Sequence, residues 1–358
     1  MAEDVTPTVS LDNCDNEPIH IPGAIQPHGA LLAVDTQARV LAYSDNFQAV
    51  AGSAPEVGMN VCEELVGAAV MRLLDEALAA RRPWTNSIET CRGDTVFDVI
   101  GHTHDSVCYL EFEPRSGGIA SFTQFALYAQ RIISQVQLRD DVGVLLDSVT
   151  DEIRRMTGYD RVMAYRFRPD LSGEVVAESR REDLGSFLGQ RYPATDIPAQ
   201  ARRLYIQNPI RLIADVKYVG SPLIPSLNPQ TGLPFDLSHS TLRSVSPIHC
   251  EYLSNMGVQA SMSVSIVVDG KLWGLFACHH MSPKTLPHPV RMSFQVCSHV
   301  CSAMVERLEA HRESELAHRG AERRSMLMRQ VRESDDILHA LAKPDLNVAS
   351  LMECDGAQ

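Results

Sequence analysis

One acid in this 358-residue chain sits between two prolines. Tyr192-Pro193-Ala194-Thr195-Asp196-Ile197-Pro198 runs directly into Ala199-Gln200-Ala201-Arg202-Arg203-Leu204-Tyr205. Each proline fixes φ at about −65° and removes an amide donor, and the residue before it is pushed toward extended backbone. Pro198 suits the first turn of a helix running through Tyr205. The segment predicts a stiff loop that presents Asp196 at the start of that helix. An acid so placed either caps the helix with its carboxylate or acts as an acceptor in a pocket, and this segment alone leaves both open.

Four other places carry possible chemistry. Cys14, in Asn13-Cys14-Asp15-Asn16, precedes Pro18-Ile19-His20-Ile21-Pro22-Gly23; a thiol on a polar segment can act as a nucleophile, although Asp15 disfavours the thiolate. The plain alternative is an incidental surface cysteine. His249 follows a proline turn in Arg243-Ser244-Val245-Ser246-Pro247-Ile248-His249-Cys250-Glu251-Tyr252-Leu253 and begins a helix. A histidine there can donate or accept near neutral pH, or it can be a satisfied core residue, while Cys250 reads as an inert buried thiol. Cys278-His279-His280 ends a strand, where neighbours point to opposite faces and cannot together hold one metal; one of the three is expected to enter a pocket. Cys297 and Cys301 have i, i+4 spacing but no completing ligand set, so they read as core. No glycine-rich phosphate loop, nucleophile elbow or metalloprotease helix motif is present.

The elements that must position these residues fall into two units. In the first, Ala30–Val34 and Arg39–Tyr43 read as a strand pair, 65–81 as a helix, and Phe97–His102 with Val107–Phe112 as two more strands. Phe122 to Thr157 reads as one long connecting helix. The second unit has strand candidates Arg161–Phe167, Glu174–Glu178, Arg211–Val216, Ser261–Val268 and Leu272–Cys278, the last two flanking the hairpin signal Asp269-Gly270. Pro222–Pro234 reads as loop, and Pro289–Ala342 as one long helix, apolar on one face at first and charged beyond Glu306. The fold class is α+β, two antiparallel sheets each flanked by helices.

Composition narrows the function classes. The net charge of −13 argues against nucleic acid as the main partner. A 44% hydrophobic content suffices for real cores, and no apolar run approaches the ~18 residues of a membrane span. The N-terminus MAEDVTPTVS has no basic, apolar leader, and the nine cysteines read as free thiols. These features predict a soluble cytoplasmic protein.

Taken together, Cys14 ahead of Pro18–Gly29, then Tyr192–Tyr205, Arg243–Gly257 and Leu272–His280 resemble a biliverdin-binding bacterial phytochrome (bacteriophytochrome) ending after its first two domains. The resemblance runs through nearly the whole chain in order. It implies a flexible segment 1–17 carrying Cys14, a PAS domain over 18–120, a GAF domain over 121–310 including the connecting helix, and a long helix with the start of a PHY domain over 311–358. It also implies a figure-of-eight knot, in which Pro18–Pro27 passes through a GAF insertion around Tyr218–Ser238. The implied cofactor is biliverdin IXα, joined to Cys14 by a thioether. Plant and cyanobacterial relatives use instead the position of Ile248, so Cys250 matches neither attachment site.

The resemblance assigns roles residue by residue. Asp196 offers its backbone carbonyl to the pyrrole N–H groups, with His249 beside the inner rings. Arg211 and Arg243 bind the propionates, supported by Ser246, Ser261 and Ser263. His279 bonds the D-ring carbonyl within a cage of Tyr165, Tyr192 and Tyr252. Tyr205 lines the cofactor site, and Met163, Ile197 and Leu204 form its apolar walls. The implied function is red/far-red reception by isomerisation between rings C and D, as input to a sensor histidine kinase acting on a response regulator. The long helix implies a homodimer, and the fragment itself implies no enzyme beyond attaching its own chromophore. Near-infrared fluorescent labels of this type commonly lose the acid at Asp196, which this chain keeps. Two rival readings are a regulatory module binding a cyclic nucleotide or haem, and a dimerisation scaffold built on Pro289–Ala342.

Overall fold

The computed structural model describes residues 17–80, 84–115, 127, 129–131, 133, 134, 136, 139–343 and 346–349. Along the chain the elements are β1 (Ala24–Ile25), β2 (Ala30–Val34), β3 (Val40–Ser44), α1 (Phe47–Ala51), α2 (Glu63–Val66), α3 (Ala68–Ala79), β4 (Thr85–Arg92), β5 (Thr95–His104) and β6 (Val107–Pro114). The second unit follows with α4 (Val142–Thr157), β7 (Arg161–Phe167), β8 (Gly173–Arg180), β9 (Arg191–Tyr192), α5 (Ala199–Gln207), β10 (Ile210–Ile213), β11 (Ser221–Ile224), α6 (Pro247–Asn255), β12 (Ala260–Val268), β13 (Lys271–His280), α7 (His288–Arg332) and α8 (Ile337–Leu341). Two antiparallel sheets result, in the orders β1-β11-β3-β2-β6-β5-β4 and β10-β12-β13-β7-β8-β9.

Four sequence expectations need correction. The helix expected over 65–81 is two helices, broken at Gly67, whose φ of 89° ends α2. The single helix expected from Phe122 to Thr157 does not run through: Asp141 caps a new helix, its carboxylate accepting from Val144 N at 3.1 Å. The helix expected to Ala342 stops at Arg332, and α8 begins afresh with Asp336 accepting from His339 N at 3.0 Å. Part of the expected loop Pro222–Pro234 is strand β11, which leaves the second unit to join the first unit's sheet beside β3.

That strand defines how the units are joined. β1 pairs with β11 along one edge, Ala24 opposite Pro222. Along the other, Ile25 bridges Arg243, Ser244 N donates to Ala24 O at 3.1 Å and Gln26 N to Leu242 O at 2.7 Å. Leu237 N also donates to His20 O at 2.8 Å. The N-terminal segment therefore lies between the outgoing and returning limbs of the insertion, the crossing that a figure-of-eight knot requires. Gln26, 1% exposed, locks it there: its amide donates to Leu212 O at 2.8 Å and its oxygen accepts from Ala214 N at 3.2 Å.

The long helix is also tied to the first sheet. Arg291 on α7, 1% exposed, pairs with buried Glu113 on β6. His288 N donates to Asp98 Oδ2 at 3.2 Å, and Arg115 holds the same carboxylate. Burial alone would raise the Glu113 carboxyl, but Arg291 outweighs it and holds it at about 2.

Candidate functional site

Period-2 alternation builds the site. On β10, Ile210 and Leu212 enter the second unit's core while Arg211 and Ile213 face a cavity. On β12, Met262 and Val264 are core while Ser261 and Ser263 face the cavity. On β13, Phe276 and Cys278 are core while Leu275, Ala277 and His279 line it; on β7, Val162 and Ala164 are core while Met163 and Tyr165 line it. The register places Arg211 opposite Ser263, Ser263 opposite Ala277 and Ala277 opposite Met163. The Cys278-His279-His280 ambiguity is thus resolved by the pleat: His279 faces the cavity, Cys278 the core, and His280 packs against Asp160 at 2.8 Å.

The cavity is about 440 Å3, large enough for a cofactor of several rings. The sheet forms its floor, and the Tyr192–Tyr205 segment and α6 close it. Asp196, Ile197, Leu204, Tyr205, Ser246, His249, Tyr192, Tyr252 and Arg243 all line it, so every expected site residue except Cys14 meets in one place. Cys14 lies outside the described residues.

Asp196 ends a short 3-10 turn (Ala194–Asp196), and no side-chain capping bond forms at the start of α5. Its Oδ2 accepts from Tyr252 Oη at 3.3 Å. Pro198 stands just before the helix at φ −68°. The loop is held from behind by Arg202, whose guanidinium donates to Ile197 O at 2.6 Å and Ala194 O at 3.3 Å. Nothing in the local sequence marks Arg202 for this task; only its place one turn into α5 brings it under those carbonyls.

Two buried cations face the cavity. Arg211 donates through Nη2 to Ser244 O at 3.1 Å and to Arg243 O, and Arg243 donates through Nη1 to Ile19 O. Arg211 Nη1 and Arg243 Nε find no protein partner. Burial pulls both guanidinium groups below their ordinary range, so each favours an anion beside it. His279, 7% exposed, has an unpartnered Nδ1; burial, Arg161 and His249 push it down to about 3. Burial and then Arg211 push His249 down to about 4. Both rings are therefore neutral near pH 7, each with one donor and one acceptor nitrogen.

Aromatic rings stand at the other end. Tyr165 lies 6.0 Å from Tyr192 and 5.4 Å from Phe167, centroid to centroid, and His249 stacks 6.3 Å from Tyr252. Tyr165 fits because Gly173, its diagonal neighbour on β8, has no side chain: a Cβ there would lie 1.7 Å from the ring's Cζ. Cys250 instead packs beside Ile213, Val216, Leu253 and Val258, and burial pushes its thiol up to about 11. The side chain is half-buried.

Family models match the two units separately: the PAS fold over residues 14–115 and the GAF domain over 141–304. A bacteriophytochrome of Pseudomonas aeruginosa is 64% identical over 353 residues, 99% of this chain and 48% of that protein. Cyanobacterial phytochrome B of Nostoc sp. is 39% identical over 98% of this chain and 48% of its own. Phytochrome E of Arabidopsis thaliana is 33% identical over 94% of this chain and 32% of its own. The chain thus spans about half the length of the bacterial relatives. With its PAS and GAF units, its lined cavity and these relatives, the chain belongs to the bacterial phytochromes, of which it carries the PAS–GAF region.

Proposed function

We propose that this chain is the light-sensing input of a red/far-red photoreceptor, holding biliverdin in the GAF cavity through a thioether to Cys14. The carrying observation is the pair of buried guanidinium groups, Arg211 and Arg243, in the wall of a cavity whose lining is mainly apolar and aromatic. A conjugated dicarboxylate fits that division. Bound there, a bilin supplies red-light absorption and isomerisation about the bridge between its C and D rings.

The protein's own part follows from its residues. Arg211 and Arg243 hold the propionates, with each charged hydrogen bond contributing roughly 1.5–3 kcal/mol. Ser246, Ser261 and Ser263 add hydroxyl donors beside them. Asp196 and neutral His249 supply acceptors for a protonated pyrrole system. His279, on the cavity wall, is the partner for the terminal ring carbonyl, donating through an imidazole N–H. Tyr165, Tyr192 and Tyr252 surround that ring with aromatic faces and no charge, so it can turn without leaving a buried ion unpaired. The Tyr252–Asp196 bond links this cage to the loop before α5, the place where a change at the ring reaches the protein surface. From there the signal passes through α7 to a dimer partner and a histidine kinase with its response regulator. The chain acts as receptor, with chromophore attachment its only chemistry.

Absorption of the purified chain mixed with biliverdin, before and after red light, tests this. A far-red band that bleaches under red light is expected. A Soret band, or no band above free biliverdin, refutes it. On a denaturing zinc-fluorescence gel Cys14→Ala must abolish the covalent signal; persistence refutes the attachment site while leaving the cavity assignment standing.

A further inference from the structure

A second cluster of ligating side chains lies away from the cavity, where the β5–β6 hairpin of the first unit meets the insertion of the second. His104 Nε2 is 3.5 Å from Asp105 Oδ2 and 3.4 Å from Asp236 Oδ2. One ligand atom from each of the three lies within 4.8 Å of the others. Neither contact is a hydrogen bond, which would bring nitrogen and oxygen to about 2.7–3.2 Å. The edge of a tetrahedron of ligands bound at about 2.0–2.2 Å from a zinc-like ion is about 3.3–3.6 Å, and both separations fall within it.

The surroundings orient the donors. Asp236 Oδ1 accepts from Ser238 N at 2.8 Å, the kind of outer hydrogen bond that orients metal-binding carboxylates. Asp105 is at the hairpin tip with φ 46°, in the left-handed region, and carries its carboxylate beside His104. The ring of His239 lies 5.0 Å from that of His104, outside the group of mutually close ligand atoms. Behind them His102, 1% exposed, stacks on Tyr109 and lies 6.4 Å from the His239 ring. Its Nδ1 edge faces Glu111 at 3.3 Å.

We propose that His104, Asp105 and Asp236 form a binding site for a transition-metal dication of the zinc class, pinning the first unit's hairpin to the insertion. Two carboxylates converging on one imidazole leave net negative charge, which a dication neutralises. Imidazole and carboxylate donors suit Zn2+, Co2+ or Ni2+ better than Ca2+ or Mg2+.

The test is titration of the reduced chain with Zn2+ by calorimetry and with Co2+ by visible absorption. One ion per chain is expected, with tetrahedral cobalt bands and no thiolate charge-transfer band. His104→Ala and Asp236→Asn should each weaken binding at least tenfold. Asp105→Asn, at a side chain 82% exposed, leaves the fold intact and should also weaken it. Equal affinity in Asp105→Asn and the parent chain, absence of a stoichiometric site, or a thiolate charge-transfer band would each overturn the proposal.

Discussion

Replacing Gly173 by alanine sets two physical effects against each other. Gly173 begins β8 with ordinary negative φ, since it is not among the positive-φ glycines. On backbone grounds Gly173→Ala should stabilise by about 0.4–1 kcal/mol, because alanine has less freedom to lose. The ring of Tyr165 reverses the sign. The added Cβ would stand 1.7 Å from Cζ, 1.8 Å from Oη and 2.0 Å from Cε1, so the ring must move by about the 1.5–2 Å that restores van der Waals contact. Its own backbone cannot yield, because Gly274 packs against it: a Cβ there would meet Tyr165 O at 2.5 Å. Overpacking of this kind costs about 1–3 kcal/mol, so a net loss of about 1–2 kcal/mol is expected, and the displaced ring enters the cavity. Urea unfolding of the parent, Gly173→Ala, Tyr165→Leu and the double variant measures it. The alanine should cost much less in the Tyr165→Leu background, with a coupling of at least 1 kcal/mol. An alanine variant as stable as the parent, with an unchanged biliverdin spectrum, refutes the argument.

Three further outcomes follow from the buried polar groups. His249 and His288 are held near 4 and His279 near 3, all chiefly by burial. Above about pH 6.5 all three are neutral in folded and unfolded chains, and as pH falls toward 4 the unfolded chain binds protons first. Chromophore-free protein should therefore lose stability below pH 6.5 by up to about 4 kcal/mol per pH unit. Urea midpoints that stay level from pH 7.5 to 5 contradict this, and His288→Gln should reduce the slope by about a third. Arg291→Met strands the Glu113 carboxylate in the interior and should cost about 3–5 kcal/mol, whereas Arg291→Met with Glu113→Leu recovers most of it; equal Tm for the single and double variants argues against a buried pair. Gln26→Ala leaves Leu212 O and Ala214 N without their side-chain partner and should cost about 1–3 kcal/mol. Limited proteolysis should then cut earlier within residues 18–28, and an unchanged digestion pattern counts against the lock.

The sequence was most informative where a single periodicity governs both structure and site. β12 alternates Met262 and Val264 with Ser261 and Ser263, so the strand and its cavity face are readable together. Asp269-Gly270 gave the hairpin because both residues take positive φ. The missed strand β4 has no such signal: it is an edge strand whose residues are exposed or half-buried. β11 was hidden for another reason. Its partners Tyr43 and Ser44 lie far back in the chain, and prolines at 222 and 225 make the segment look like loop. The cavity residues emerged through family resemblance, since no spacing rule links Asp196 to Arg211 and His279. Arg202, Gln26 and Gly173 escaped altogether, because what each does is set by a carbonyl or ring that only the folded chain brings near.

The pairing of β1 with β11 has a temporal side. Ala24 and Ile25 leave the ribosome early, but Ser221 and Pro222, which complete their edge of the sheet, follow about two hundred residues later. At roughly 5–20 residues per second the first unit waits on the order of 10–40 s with β3 uncovered on that side. During that interval its open edge is a template for any other extended segment. Nascent chains stalled before residue 221 should thus be far more prone to associate with one another than chains stalled beyond the return limb at Arg243 and Ser244, so the crossing that joins the two finished units is also the point of greatest exposure during synthesis.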